Sequence, residues 1–133
     1  MPVLYPSWIE IPVADLECAL TFYRAVFGLD ETPRYQDGSA QIAVLLPSDK
    51  SRRAPGVSLV QSPEHTPGPH GIVVNFHLGD HAALAAAVQA VEQHGGIIAA
   101  PLVDAGDGQR YLTVRDSEGN TLALSSYEPP QAG

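Results

Sequence analysis

Apolar and polar positions along this chain follow two rhythms, and each rhythm occurs twice. Leu16, Ala19, Leu20, Tyr23, Val26 and Phe27 recur at helical spacing, with Asp15 before them as an N-cap and Gly28 after them as a stop. Asp80 caps a second such segment, in which Leu84, Val88 and Val91 form the stripe and Gly95-Gly96 closes it. A short strand-like run precedes each helix, "SWIEIPV" in one case and "GIVVNFHL" in the other. Further runs with strand character follow: "SAQIAVLLP" and "GVSLVQ" after the first helix, "QRYLTVR" and "TLALSS" after the second. A weaker strand is expected near Glu31–Tyr35, with its counterpart near Ile97–Val103.

The two caps lie 65 residues apart, and that offset pairs Leu20 with Ala85, Tyr23 with Val88 and Val26 with Val91. Each half reads β-α-β-β-β, which predicts an α+β fold of two βαβββ modules within a single domain. Module one covers about residues 7–61 and module two about 71–127, with the Pro- and Gly-dense linker "SPEHTPGPH" at 62–70 between them.

Strand alternation separates two faces. One carries Ile9, Ile11, Val13, Ile42, Val44, Leu46, Val57, Leu59, Ile72, Val74, Phe76, Leu112, Val114, Leu122 and Leu124, and is expected to pack under the helices. The other carries Trp8, Glu10, Gln41, Ala43, Ser58, Val60, Val73, Asn75, His77, Tyr111, Thr113, Arg115, Thr121, Ala123 and Ser125. That mixture suits a pocket with a few placed polar groups, or else a sheet with one wet face.

Composition narrows the function classes. Of 133 residues, 44% are hydrophobic, an ordinary share for a globular chain. A net charge of −8 argues against a nucleic-acid partner, which needs clustered Lys and Arg, and favours a cationic ligand over an anionic one. The opening "MPVLYPSWIEIPV" lacks the basic start and long apolar core of a signal peptide. No apolar run approaches the roughly 20 residues that cross a bilayer. Cys18 is the lone cysteine, so no internal disulfide forms, and it reads as a small core residue of the first helix. A cytoplasmic protein without a membrane partner is the expectation.

"IEIPVADLECALTFYRAVFGLD", "GIVVNFHLGDHAALAAAV", "HGGIIAAP" and "RDSEGNTLAL" together resemble the vicinal oxygen chelate superfamily, which includes glyoxalase I, bleomycin-resistance and extradiol dioxygenase proteins. The resemblance runs from Trp8 to Ser125. It implies that the paired modules curl a mixed sheet into a cup with helices on the outer face, and that many members are dimers with cups built within or between chains. It also implies that the corner Asp116–Asn120 is a hairpin turn, with Gly119 supplying a positive φ. As a calcium loop that corner lacks the length and the closing bidentate Glu.

Metal-dependent members of that superfamily place His, Gln or Glu at two points per module, which here fall on Trp8, Ser58, Val73 and Ala123. None of these offers a nitrogen or carboxylate ligand for a divalent metal. The expectation is therefore a metal-free cup, without a cofactor, that binds a small cationic or aromatic molecule in the manner of the bleomycin-binding branch. Its lining would be Trp8, Glu10, Ser58, Asn75, His77, Tyr111, Thr113, Ala123 and Ser125. Two alternatives stand beside it. One is a glyoxalase-like lyase or isomerase using Glu10 or His77 as a general base or in a rebuilt metal site; the other is a structural module with a vestigial cup. His65 and His70 in the linker could bind adventitious metal, although a Pro-rich loop seldom fixes ligand geometry; His81 and His94 read as solvent-side residues of the second helix, and Asp104 and Asp107 as loop solvation or a lid. A homodimer is expected.

Overall fold

The computed structural model describes residues 6–46 and 55–130. The first five residues, read above for a signal peptide, and Pro47 of the third strand-like run lie outside that range. The order is β1 (Trp8–Pro12), α1 (Leu16–Phe27), β2 (Arg34–Asp37), β3 (Ala40–Leu45), β4 (Gly56–Gln61), β5 (Val74–His77), α2 (His81–Gln93), β6 (Ile97–Asp104), β7 (Gln109–Arg115) and β8 (Thr121–Tyr127). Two four-stranded sheets result, ordered β1-β4-β3-β2 and β5-β8-β7-β6. In each, the first and last strands of the module run parallel and the remaining pairs antiparallel. The repeat read from the caps is thus a repeat of topology.

The helix starts repeat in chemistry as well. Asp15 accepts from the Cys18 N–H at 3.1 Å and Asp80 from the Ala83 N–H at 2.8 Å, each satisfying one of the donors a helix start leaves open. At the next position, the Leu16 N–H donates to Gln61 Oε1 at 2.7 Å. Its counterpart His81 donates its N–H to Glu128 at 2.8 Å, and its ring nitrogen Nδ1 lies 2.8 Å from the buried Ser126 hydroxyl. Gln61 and Ser126 stand the same 65 residues apart as the two caps. His81 is therefore a pinned residue at the helix start, a correction to its reading as solvent-side. His94, at the other end of α2, is exposed as read.

One core lies between the helices and both sheets, built on Leu20, Phe22, Tyr23, Leu59, Leu84, Val91, Leu112, Val114, Leu122 and Leu124. Phe27 of α1 meets Phe76 of β5 with ring centroids 4.8 Å apart, across the two modules. Burial of each such side chain contributes roughly 1.5–3 kcal/mol.

The core-face assignment holds for Val74, Phe76, Leu112, Val114, Leu122 and Leu124 and fails in β3. Register pairs Ala43 with Leu59 and Leu45 with Val57, so Ala43 and Leu45 face the helices. Ile42 and Val44 pair with Val60 and Ser58 on the opposite face. The run Ile42 to Leu46 is apolar at every position, so alternation gave no parity there, and a slip of one residue exchanges the faces. Ile72, assigned to the core, is 97% exposed because β5 begins only at Val74. Cys18 is exposed as well. It lies two positions from Leu16, about 200° round the helix, which turns it away from the buried stripe. The weak strand near Glu31–Tyr35 is a bridge from Glu31 to Leu46 followed by β2. Its counterpart β6 interrupts its register between Ile98 and Val103, around Pro101, which has no N–H to give a ladder.

Candidate functional site

Parallel pairing of β1 with β4 sets Trp8 beside Gly56, Glu10 beside Ser58 and Pro12 beside Val60. The Trp8 ring lies over Gly56 so closely that a Cβ there would sit 2.2 Å from it, which makes the absence of a side chain a condition of the ring's placement. Its indole N–H donates to the buried Ser58 hydroxyl at 3.0 Å, while about half of the side chain stays open to solvent. Along β1 runs a cavity of about 680 Å³, walled by Trp8–Pro12, by linker residues 66–70, and by Ile72, Val74 and Asn120–Leu122.

Glu10 is not a lone carboxylate in this wall. His65 Nε2 lies 3.3 Å from its Oε2, and the other ring nitrogen, Nδ1, lies 2.7 Å from the Ser62 hydroxyl. The Pro-rich linker, expected to leave His65 without fixed geometry, folds back onto β1 and holds it. The Gly68 N–H donates to Asn120 Oδ1 at 3.0 Å, and the Thr121 hydroxyl donates to the Pro69 carbonyl at 2.8 Å. The local signal was Ser62 and His65 three residues apart around Pro63, a spacing that a turn closes.

The other candidates share a different face. Register places Asn75 beside Ala123, His77 beside Ser125, Thr113 beside Ala123 and Tyr111 beside Ser125. Asn75, His77 and Tyr111 are exposed. None of these six residues lines the cavity along β1. A single chain therefore brings Trp8 and Glu10 into one cavity wall, with Ser58 buried behind Trp8, and sets Asn75, His77, Tyr111, Thr113, Ala123 and Ser125 on a face of the other sheet.

The four positions where metal-dependent relatives carry ligands do not fit a divalent metal. The Trp8 N–H and Ser58 hydroxyl are engaged with each other, and Val73 and Ala123 have no donor atom in their side chains. Among the described residues, no three His, Cys, Asp or Glu side chains converge as a ligand set.

The corner at 116–120 does far more than turn the chain. Gly119 has a φ of 85°, as the hairpin requires. The buried Asp116 carboxylate accepts the Tyr23 hydroxyl at 2.6 Å, the Glu118 and Asn120 N–H groups at 2.9 Å each, and Asn120 Nδ2 at 3.0 Å. Glu118 accepts the Ala14 and Asp15 N–H groups at 2.8 and 2.6 Å, at the start of α1, where a negative charge is favoured. Asn120 Nδ2 also donates to the Pro12 carbonyl at 2.8 Å. One hairpin of module two thus holds β1, α1 and the linker of module one. Burial, followed by the charge and hydrogen bond of Asp116, pushes the Tyr23 hydroxyl well above its ordinary pKa. Asp104, read as a loop residue, is the last residue of β6, where the Gly106 N–H, with a smaller part from Arg110, holds its exposed carboxyl below its ordinary range.

The sequence profile of the Glyoxalase/Bleomycin resistance protein/Dioxygenase superfamily matches residues 6–124. The chain belongs to that superfamily. No curated protein matches the sequence. Among solved structures, a glyoxylase/bleomycin resistance protein/dioxygenase domain from a Frankia species superposes with a TM-score of 0.76 at 13% identity, over 98% of this chain and 96% of the other. A glyoxalase/bleomycin resistance protein from Albidiferax ferrireducens gives 0.67 at 20% identity, over 92% and 98%. A fosfomycin resistance protein from Listeria monocytogenes, solved with Mn(II) and a dihydroxypropylphosphonic acid, gives 0.68 at 13% identity, over 92% of both chains. Identities this low establish the shared fold.

Proposed function

We propose that this member of the superfamily binds a small amphipathic or cationic organic molecule in the cavity along β1, without a resident metal or cofactor. The supporting observation is a cavity of about 680 Å³ with the Trp8 ring and the Glu10 carboxylate in one wall, within the several-hundred-Å³ range of drug-sized sites. An aromatic face attracts a cation by about 0.5–2 kcal/mol depending on desolvation. The carboxylate adds direct attraction, and the net charge of −8 favours the approach of cations over that of anions. A thermal-shift screen of matched cationic, neutral and anionic aromatics tests this. Cations are expected to stabilise most, and Trp8→Ala and Glu10→Gln each to remove most of the shift. Preferential stabilisation by phosphonates or carboxylates, or hits indifferent to both substitutions, would reject it.

A second reading, a lyase or isomerase, rests on the Glu10–His65 contact at 3.3 Å, which sets an imidazole beside the carboxylate of the cavity wall. Glu10 is its base; His77 does not line the cavity. Elemental analysis separates this reading's metal-assisted form from metal-free binding. Dialysed protein is expected to hold well under one equivalent of Zn, Ni, Mn or Fe. Near-stoichiometric metal lost in Glu10→Ala or His65→Ala would support a rebuilt centre.

The reading includes a homodimer in the cytoplasm. Ile97, Leu102, Val103 and Tyr111 leave large apolar surfaces exposed on the second sheet, a face suited to cover by another copy. Light scattering at micromolar concentration is expected to give twice the 14.1 kDa of one chain; a particle of that single mass would count against it. Among the described residues, no helix is long and apolar enough to cross a membrane.

A further inference from the structure

Ser62, His65 and Glu10 form a continuous chain of hydroxyl, imidazole and carboxylate, with links of 2.7 and 3.3 Å. His65 Nε2 lies 3.3 Å from the Glu10 carboxylate, and Nδ1, 2.7 Å from the Ser62 hydroxyl, is the nitrogen placed to accept its proton. That is the logic of an activated serine: a base against the hydroxyl and a carboxylate that orients the base and stabilises its cation. The Glu64 N–H points at the same oxygen from 3.2 Å, where it would favour developing negative charge. A hydroxyl oxygen has two lone pairs, so one remains for attack. Ser62 and His65 also line a second cavity, of about 420 Å³, whose wall includes Gln41 and Gln61. Gln61 Oε1 is held by the Leu16 N–H, which leaves its amide N–H groups as candidate donors to an oxyanion. Pro63 supplies none, having no N–H.

We propose that Ser62 is a nucleophile toward small acyl esters with good leaving groups, with His65 as its general base and Glu10 as the positioning residue. In the first step the Ser62 oxygen bonds to the acyl carbon, its proton passes to His65 Nδ1, the C–O bond to the leaving group breaks, and His65 gives that proton to the departing phenolate. In the second, His65 takes a proton from water, the hydroxide adds to the acyl carbon, the bond to Ser62 breaks, and His65 returns a proton to the serine. The products are a phenol and a carboxylic acid, which gives its proton to water. This activity shares Glu10 with the proposed cation site, and acetylation of Ser62, which does not line the cavity along β1, distinguishes the two.

The test follows p-nitrophenyl acetate hydrolysis by the full chain, with peptide mapping of the acetylated protein. Acetyl is expected on Ser62, and release is expected to fall about 10²-fold in Ser62→Ala and His65→Ala. Added imidazole should restore release in His65→Ala and leave Ser62→Ala unchanged. Glu10→Gln should lower kcat with little change in KM. Circular dichroism of each variant separates lost chemistry from lost fold, and a fluorophosphonate probe on the wild type reads the same nucleophile without any variant. Acetyl and probe carried by other side chains, or Ser62→Ala releasing phenolate within twofold of wild type, would overturn the proposal.

Discussion

Asp116→Ala is expected to cost about 3–5 kcal/mol of stability, read as a fall in the urea midpoint at unchanged slope. The carboxylate is 3% exposed and accepts four hydrogen bonds, from Tyr23, Glu118 and twice from Asn120. Alanine cannot accept any of them. A buried donor left without a partner costs about 1–3 kcal/mol, and the Tyr23 hydroxyl and Asn120 N–H are both buried. The loss also loosens what the corner holds, because Asn120 contacts the Pro12 carbonyl of the other module and the Gly68 N–H of the linker. Glu118→Ala makes a sharper comparison. Its two acceptor bonds lie at an exposed helix start where water can replace it, so about 1 kcal/mol is expected. Equal costs for the two substitutions would show that burial of the Asp116 network is not what stabilises the junction.

Much of the fold was legible because its signals are local. An Asp before a 3.6-residue stripe defines a helix start wherever the rest of the chain goes, and two such starts at one offset exposed the repeat. The failures occurred where distant residues decide. The β3 run from Ile42 to Leu46 carries apolar side chains on both faces, so only its pairing with β4 fixes which face is which. Asp116 looked like a turn residue because its most distant donor, Tyr23, is 93 positions away. His65 looked unattached because Glu10 is distant in sequence and only the folded linker brings them together. Alternation along a strand also assigns a side chain to a face without saying what the face meets. That is why the candidate residues divide between the cavity wall along β1 and a separate face of the second sheet within one chain.

Tyr23→Phe is expected to change the shape of the stability–pH curve as well as its height. Near neutral pH the phenylalanine variant should be less stable by about 1–2 kcal/mol, since Asp116 loses one donor and keeps three. Above the ordinary tyrosine pKa of about 10 the order of effects reverses. The native Tyr23 keeps its proton, because burial and the Asp116 carboxylate oppose a phenolate there. The unfolded chain gives its proton up. Native protein then binds more protons than unfolded protein, so this residue's contribution, complete below pH 10, is lost as pH climbs toward the raised native value. The slope is about 1.4 kcal/mol per pH unit for one proton. Phenylalanine has no such proton, so the advantage of the wild type should shrink above pH 10 and vanish about one unit later. Urea midpoints of both proteins from pH 8 to 11.5 measure it, and the other titrating groups cancel in the difference. A gap that stays constant across that range would mean that Tyr23 ionises as freely in the native state as in the unfolded chain, and that the buried bond to Asp116 does not hold its proton.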